Sequence, residues 1–227
     1  KIDAEMVAEV VGGMADACAA AGCVLLGGET AEMPGVYSPG AFDIAGTLVG
    51  VAEREQLLPL PTIAAGDVLI GVASNGPHTN GYSYLRKLFA WIPLESQPVP
   101  LDRPLVEALL EPHRNYLPVL KDALDTELVK ALVHITGGGL PENMPRVLPQ
   151  GIGANITLGS WPMPPLFQLV SELSALEMNE LYRTLNMGIG MVVIVAPQHV
   201  EAVQASISEQ TWIIGELTSD HNKVLLQ

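Results

Sequence analysis

A chain of 227 residues, 48% hydrophobic and 16% charged, has the material for one or two domains around a sizeable core, which excludes a disordered polymer. Its formal net charge of -14, from 25 acids against 11 bases, excludes nucleic acid and anionic membrane as partners, because both recruit clustered lysine and arginine. The longest near-apolar run, Met187 to Ala196, falls far short of the roughly 18 residues that cross a bilayer, and no basic-led signal segment opens the chain, so a soluble, cytoplasmic protein is expected.

Ile2, Met6, Val10, Met14 and Cys18 recur on one face of an opening helix, with Asp3 placed to cap its start and Gly22 its end. A helix at the first residue that leads into a buried strand needs a sheet to cover, which implies that strands expected before it are absent from this chain. Cys18 and Cys23 are too few for a zinc set and read as two small, buried, reduced side chains. Residues 23 to 28 read as one strand and residues 43 to 53 as another. The proline-bearing connection over residues 54 to 65 marks a boundary, which gives domains 1–60 and 61–227.

From Gly66 the pattern resets. "DVLIGVAS" reads as a strand, "TNGYSYLRKLFAWI" as a helix, and "PLVEALLEPHRNYLPVLKDAL" as one long or proline-broken helix. A strand at "VKALVHIT", a short helix at "PENMPRVL", a strand at "GANITLG" and a helix over "PPLFQLVSELSALEMNELYRTL" follow. The chain closes on strand "GMVVIVA", helix "QHVEAVQASI", strand "TWIIGEL" and a last strand "KVLLQ". This alternation predicts a mixed α/β or α+β layered domain.

Four segments share a form in which an apolar strand ends in glycines mixed with groups that can bond an anion: "GGETAEMPG", "SNGPHTNG", "HITGGG" and "NMGIGM". Glycine lets backbone amides approach a phosphate closely, and a following helix adds its positive N-terminal end. The segments over Asn75–Gly81 and Thr136–Leu140 stand at strand-to-helix junctions, where such sites belong. Glycine with Asn, Ser or Thr is also the ordinary vocabulary of tight turns. What exceeds a turn is the pair His78 and His134, each at a strand end among glycines, with Thr79, Asn80 and Thr136 beside them. Two imidazoles in matching contexts suggest proton transfer or phosphate contact. His113, His199 and His221 lie in helical or terminal polar contexts and read as solvated surface.

Glu29 and Glu32 are either a helix cap and a solvated acid or, in the functional reading, a carboxylate behind Gly27 and Gly28 that holds Mg2+ against nucleotide phosphates with Thr30 beside it. In a chain this poor in arginine, Arg183 could fork onto a phosphate or pair with Glu180. No Ser-His-Asp spacing, nucleophile elbow, Walker loop or dinucleotide fingerprint is present.

Long strings of this sequence, "GGETAEMPGVY", "DIAGTLVGVAE", "GDVLIGVASNGPHTNGYSYLRK", "HITGGGLPENMPRVLP" and "EMNELYRTLNMGIGMVV", resemble the family of phosphoribosylformylglycinamidine cyclo-ligase, also called aminoimidazole ribonucleotide synthetase. The resemblance runs from residue 1 to the C-terminus. It implies a two-domain α+β fold, with an N-terminal ATP-binding, dimerising domain whose strands pair with those of a second subunit in a homodimer, and a C-terminal domain with a mixed sheet. It also implies ATP as co-substrate, Mg2+, and a small phosphorylated nucleotide precursor as partner: formylglycinamidine ribonucleotide closes to 5-aminoimidazole ribonucleotide with release of ADP and phosphate. On these residues it would place Gly27, Gly28, Glu29 and Thr30 at the ATP site, with Glu29 on the metal. Ser74, Asn75, Gly76, Thr79, Asn80, Thr136, Gly137 and Gly138 would fall on the substrate side, with His78 and His134 as acid/base or phosphate-contacting groups. Asn186 and Gly188 would complete the cleft, and Arg114 is a secondary candidate. Members of the family begin with more chain, carrying a glycine-rich nucleotide loop, a "DGVGTK"-type motif and further metal-binding aspartates, none of which occurs here. A non-catalytic, substrate-binding and dimerising fragment is therefore one alternative, and a sister formylglycinamidine ribonucleotide synthetase is another, against which the continuous strings argue.

Overall fold

The computed structural model describes residues 3–38, 40–58, 62–219 and 223–227, and the expectations for Ile2, for residues 59–61 of the connection and for His221 lie outside them. The chain forms two compact units, Lys1–Leu57 and Leu58–Gln227.

In the first unit α1 spans Ala4–Ala20. Asp3 caps it, its carboxylate accepting from the N–H groups of Glu5 and Met6 at 3.0 and 3.3 Å. Gly22, at φ 69°, closes it. Its N–H bonds Ala19 O at 3.1 Å, and the N–H of Cys23 reaches back to Cys18 O at 2.8 Å, the paired closure that a left-handed residue allows. Cys18 and Cys23 are free thiols but only half-buried, which corrects the expectation of buried side chains; no residue of α1 is buried. The strands expected over residues 23–28 and 43–53 do not form. Their composition favours extended backbone, yet a segment becomes a strand only when a neighbour takes up its N–H and C=O groups. Among the described residues of this unit no such ladder exists, and Val24 and Leu26 stand 79% and 94% exposed.

The second unit is a six-stranded sheet covered by helices. Its elements run β1 (Val68–Ala73), α2 (Tyr82–Leu88), α3 (Leu105–Leu109), α4 (Tyr116–Asp125), β2 (Val129–His134), α5 (Gly139–Asn143), β3 (Gly153–Ile156), α6 (Pro165–Leu173), α7 (Met178–Thr184), β4 (Ile189–Val195), α8 (Val200–Ala205), β5 (Thr211–Thr218) and β6 (Val224–Leu226). The strand order is β2-β4-β1-β5-β3-β6. Pairing is antiparallel except between β3 and β6, so the sheet is mixed, as expected.

Side chains alternate across each strand, and the two faces found two cores. Leu69 of β1 with Val192 and Ile194 of β4 packs against α2, α3, α5, α6 and α7 through residues such as Leu85, Leu140, Phe167 and Leu181. Ile70 and Val72 of β1 with Val193 and Val195 of β4 pack against α4 and α8 through Leu120, Ala123 and Val203. Every residue of β4 is buried, which is why its sequence reads as an unbroken apolar run rather than an alternation.

The proline-bearing run is indeed broken: α3 and α4 flank a loop holding Pro112. The single helix expected over residues 164–185 is instead α6 and α7. Ser174 leaves the helix at ψ 139°, its hydroxyl accepting from Leu176 N–H at 2.9 Å and from the Tyr84 hydroxyl at 2.5 Å. This is a local side-chain alternative to the helical bond.

At the start of β1, buried Asp67 links that strand to the turn before it and, across β4, to β2. It accepts from Ala64 N–H at 2.8 Å and from Lys130 Nζ at 2.7 and 2.9 Å, and the ammonium also donates to Thr62 O at 2.9 Å. Removing the carboxylate leaves a largely enclosed ammonium with one partner. Asp67→Ala is expected to lower unfolding stability by about 2–4 kcal/mol, read from the urea midpoint, whereas Lys121→Ala on the exposed pair with Asp125 stays within about 0.5 kcal/mol.

Candidate functional site

β4 runs antiparallel to both β1 and β2, so the ends of those strands flank its beginning: Ala73 pairs with Ile189, and His134 with Met191. Three of the four glycine-rich segments are thereby gathered at one edge of the sheet. Gly188 O accepts from Ser74 N–H at 2.9 Å, and Gly190 O accepts from Ile135 N–H at 3.0 Å. Asn186, buried, locks two of the loops together. Its Oδ1 accepts from the Ser74 hydroxyl at 2.8 Å and from Gly188 N–H at 2.9 Å, and its Nδ2 donates to Gly76 O at 2.8 Å. Asn143 does the same for the third: its Nδ2 donates to Gly137 O at 3.2 Å and Gly139 O at 2.8 Å, and its Oδ1 accepts from the Thr136 hydroxyl at 3.0 Å. Two non-glycine residues here, His78 at φ 59° and Met187 at φ 48°, sit in the left-handed region, the kind of local strain that accumulates where function fixes the backbone.

His78 is 3% exposed, while His134 at the end of β2 lies open. Between them stands His113, which sequence placed on the solvated surface. It is instead half-buried, in contact with both rings from the α3–α4 loop. The rings of His78 and His113 stack at 4.0 Å with 13° between their planes. His113 Nε2 lies 3.2 Å from His134 Nε2. The Asn75 amide fixes the stack: Oδ1 lies 2.9 Å from His78 Nε2, and Nδ2 donates to Pro112 O at 2.8 Å. Since the amide oxygen can only accept, His78 carries its proton on Nε2, and its Nδ1 is a buried lone pair without a partner. Tyr116 lies edge-on to His78 and His134, its hydroxyl donating to Ala73 O at 2.8 Å. Gly190 makes room for this packing: a Cβ there would fall 1.9 Å from Tyr116 Oη and 2.6 Å from His78 Cε1.

The electrostatics follow from crowding. Burial, then the neighbouring His113 and His134 and the Arg114 guanidinium, lower the pKa of His78 to about 3. Burial also holds His113 below its usual range, with His134 adding to the effect, and burial lowers His134. Burial pushes the Tyr116 phenol up. The imidazoles are therefore neutral near pH 7.

Of the other expected residues, Asn80 reaches the third loop, its Oδ1 3.4 Å from where a Gly137 Cβ would stand, and Thr79 is exposed. Ser74 and Gly188 also line a cleft of about 310 Å3 with Pro162, Met163, Gln210 and Trp212. Arg114 pairs with Glu209, and Arg183 with Glu142 at 2.6 Å and Glu180 at 3.3 Å. Both arginines are thus engaged by carboxylates. Gly27, Gly28, Glu29 and Thr30 belong to the first unit, where they are exposed. Among the described residues no three acidic, imidazole or thiol groups converge as a metal site.

The family model of the AIR synthase related protein, C-terminal domain, matches residues 64–226, and that of the N-terminal domain matches residues 1–52. The chain belongs to the AIR synthase related family. Proteins named phosphoribosylformylglycinamidine cyclo-ligase from Geobacillus kaustophilus (strain HTA426) and Methylobacillus flagellatus are 48% and 46% identical to it over 94% and 96% of its length. The chain spans 63% and 64% of those relatives. A protein of the same name from Alkaliphilus metalliredigens is 43% identical over 100% of the chain, which spans 67% of it. Among solved structures, thiamine-monophosphate kinase from Stenotrophomonas maltophilia K279a superposes with a TM-score of 0.52 at 15% identity, over 78% of this chain and 54% of that one. E. coli HypE, a hydrogenase maturation protein, superposes with a TM-score of 0.50 at 22% identity, over 75% of this chain and 49% of that one. These likenesses show the fold, the α+β architecture of the AIR synthase related family, in agreement with the sequence reading.

At this edge of the sheet the amides of Asn75, Asn143 and Asn186 donate to loop carbonyls, and Arg114 and Arg183 are engaged by carboxylates. Gly190→Ala is expected to cost about 1–3 kcal/mol of stability and to separate the His78–His113 stack, seen as loss of the mutual ring-current shifts in histidine NMR spectra. The depressed imidazoles also set a pH dependence. A group whose folded pKa lies below its ordinary 6.5 binds protons better when unfolded, so its stabilisation is complete above 6.5 and lost as pH falls toward the folded value of about 3 for His78. Urea midpoints are expected to fall from pH 7 to pH 4, and His78→Asn, which tolerates the left-handed backbone, flattens that fall.

Proposed function

We propose that the protein serves the ATP-dependent closure of formylglycinamidine ribonucleotide to 5-aminoimidazole ribonucleotide, with release of ADP and phosphate. The observation that carries the reading is 48% identity to a relative bearing the cyclo-ligase name, joined to a site whose polar loops meet at one sheet edge. A homodimer, a cytoplasmic location, ATP and Mg2+, and a small phosphorylated nucleotide precursor as partner, with no nucleic acid and no membrane, belong to the same reading.

The chemistry asked of the site is modest. The formyl oxygen is a poor leaving group until phosphorylated. The amidine nitrogen then forms the new C–N bond, the C–O bond to the phosphorylated oxygen breaks, phosphate leaves with the electron pair, and the nitrogen gives up a proton. Positioning and charge neutralisation carry most of such a reaction. His134, open at the end of β2, is assigned contact with the ligand, and its exposure supports that reading. His78 is enclosed, with Nε2 held by Asn75, and is assigned the part of a positioning residue. Ser74, Gly76, Asn80, Thr136, Gly137, Gly138, Asn186 and Gly188 are assigned to substrate through the loop backbones and amides. Arg114 takes a supporting part through its pair with Glu209.

Glu29 and Thr30 are assigned to the nucleotide and its metal. Mg2+ keeps most of its coordination in phosphate and water and asks one or two carboxylates of a protein, which Glu29 can meet. When bound, the ion would neutralise phosphate charge that this acidic chain has few free cations to meet.

The test is substrate-dependent ADP release by a chain extended to the full length of its relatives. His134→Ala is expected to lower kcat by about 10²–10⁴, while His199→Ala leaves it unchanged. Absence of substrate-dependent ADP release in the extended protein would sink the reading. Release by the extended protein alone, with substrate still bound by the present chain, favours the alternative that residues 1–227 act as a binding fragment.

A further inference from the structure

We propose that His113 is a working member of the site, sharing a proton with His134 across their Nε2 atoms so that the pair presents one inducible positive charge to an anionic ligand group. The inference rests on the reading of this edge of the sheet as a site for a phosphorylated ligand.

Two ring nitrogens 3.2 Å apart cannot both present lone pairs without repulsion, so a proton lies between them. The neutral pair therefore holds opposite tautomers, one ring donating from Nε2 and the other accepting. Taking one proton from solvent onto the pair keeps an N–H⁺···N bond, and the charge spreads over both rings. Taking a second sets two N–H groups head to head. The pair should accept one proton readily and a second with difficulty, as coupled groups do.

The surroundings hold His113 in place for this. His78 stacks on it from the β1–α2 loop, and Asn75 of the same loop grips Pro112 O, the carbonyl just before it. The charged groups that reach it are otherwise engaged. Glu111 in its own loop is paired with Arg103 at 2.5 Å and with Asn75 at 3.4 Å. Arg114 next to it is paired with Glu209, from the segment before β5, and Tyr116 of α4 donates to Ala73 O. Partly buried, and with each ring disfavouring charge on the other, the pair stays neutral until an anion supplies the counter-charge. Anion binding and uptake of one proton are then linked.

The experiment follows the histidine ring signals of the full chain by NMR against pH, with and without sulfate, an anion of phosphate's shape whose own charge is constant across this range. Wild type is compared with His113→Gln and His134→Gln. In wild type the His113 and His134 rings should titrate together in separated steps, with sulfate moving the first step upward. Sulfate affinity should fall by up to about tenfold per pH unit above that step. In His113→Gln, His134 should titrate alone in a single step nearer its ordinary value, and the pH dependence of sulfate binding should flatten. His134→Gln reads the same coupling from the His113 side, so poor folding of one variant leaves the other decisive. Unchanged titration of the surviving ring in the folded variant, or wild-type rings that do not respond to sulfate, would overturn the proposal. Coupled rings in a protein whose extended form releases no ADP would instead overturn the ligase reading and leave the pair standing.

Discussion

The arrangement of the site depends on the register of β4 between two antiparallel neighbours. A buried strand must give every N–H and C=O a partner, and β4 finds them on β2 and β1 at once. Because both neighbours run against it, the loops that follow them are delivered to the place where β4 begins. The loop leading into β4 carries Asn186 and Gly188, which take up the first backbone and hydroxyl groups beyond β1. A slip of one residue in the β2–β4 ladder would turn His134 to the other face and part it from His113. The apolar packing on both faces of β4, with Val192 and Ile194 on one and Val193 and Val195 on the other, thus fixes chemistry at its end.

Much of this second unit was legible because its signals are local. Apolar runs bounded by glycine gave β1, β2 and β4, and the same glycines marked three of the loops that converge. Less visible were features made by tertiary contact or by small side chains. His113 sits beside Pro112 in a stretch with helical spacing on either side, and its ring partners lie 35 and 21 residues away in the chain, at His78 and His134. The proline was the available signal, since a histidine beside a helix break is a loop histidine. The division of α6 from α7 rests on one serine hydroxyl, with neither glycine nor proline to announce it. In the first unit the error ran the other way. Cys23–Gly28 and Asp43–Glu53 have the composition of strands, but ladder partners are a property of the assembled sheet, and none lies among this unit's described residues.

Glycine at this site works by exclusion of atoms more than by freedom of backbone. Gly190 lies inside a strand, where a side chain would cost nothing in φ, yet the Tyr116 hydroxyl and the His78 ring occupy the space of its Cβ. Gly139 is constrained in both ways, at φ 58° and with the Tyr182 carbonyl oxygen 1.8 Å from where its Cβ would stand. The first of these brings the imidazoles down onto the sheet, and the second brings α5 onto α7. The short α5 then carries Asn143, which holds the third loop by its carbonyls.

The net charge poses a problem that this geometry answers. A chain of -14 that handles phosphates would repel them unless charge is supplied locally. The arginines near the loops do not supply it freely, for Arg114 and Arg183 are held by Glu209, Glu142 and Glu180. What remains on this reading is backbone N–H and the imidazoles, which burial keeps neutral. Neutral donors do not attract anions at long range, so selection among anions would rest on fit to the loops rather than on steering. On the proposed reading, positive charge then appears only when an anion has seated, and leaves again with it. Because that charge costs a proton taken from solvent, binding of any anion at the pair would weaken as pH rises, whereas a permanent cation would hold it equally across the same range.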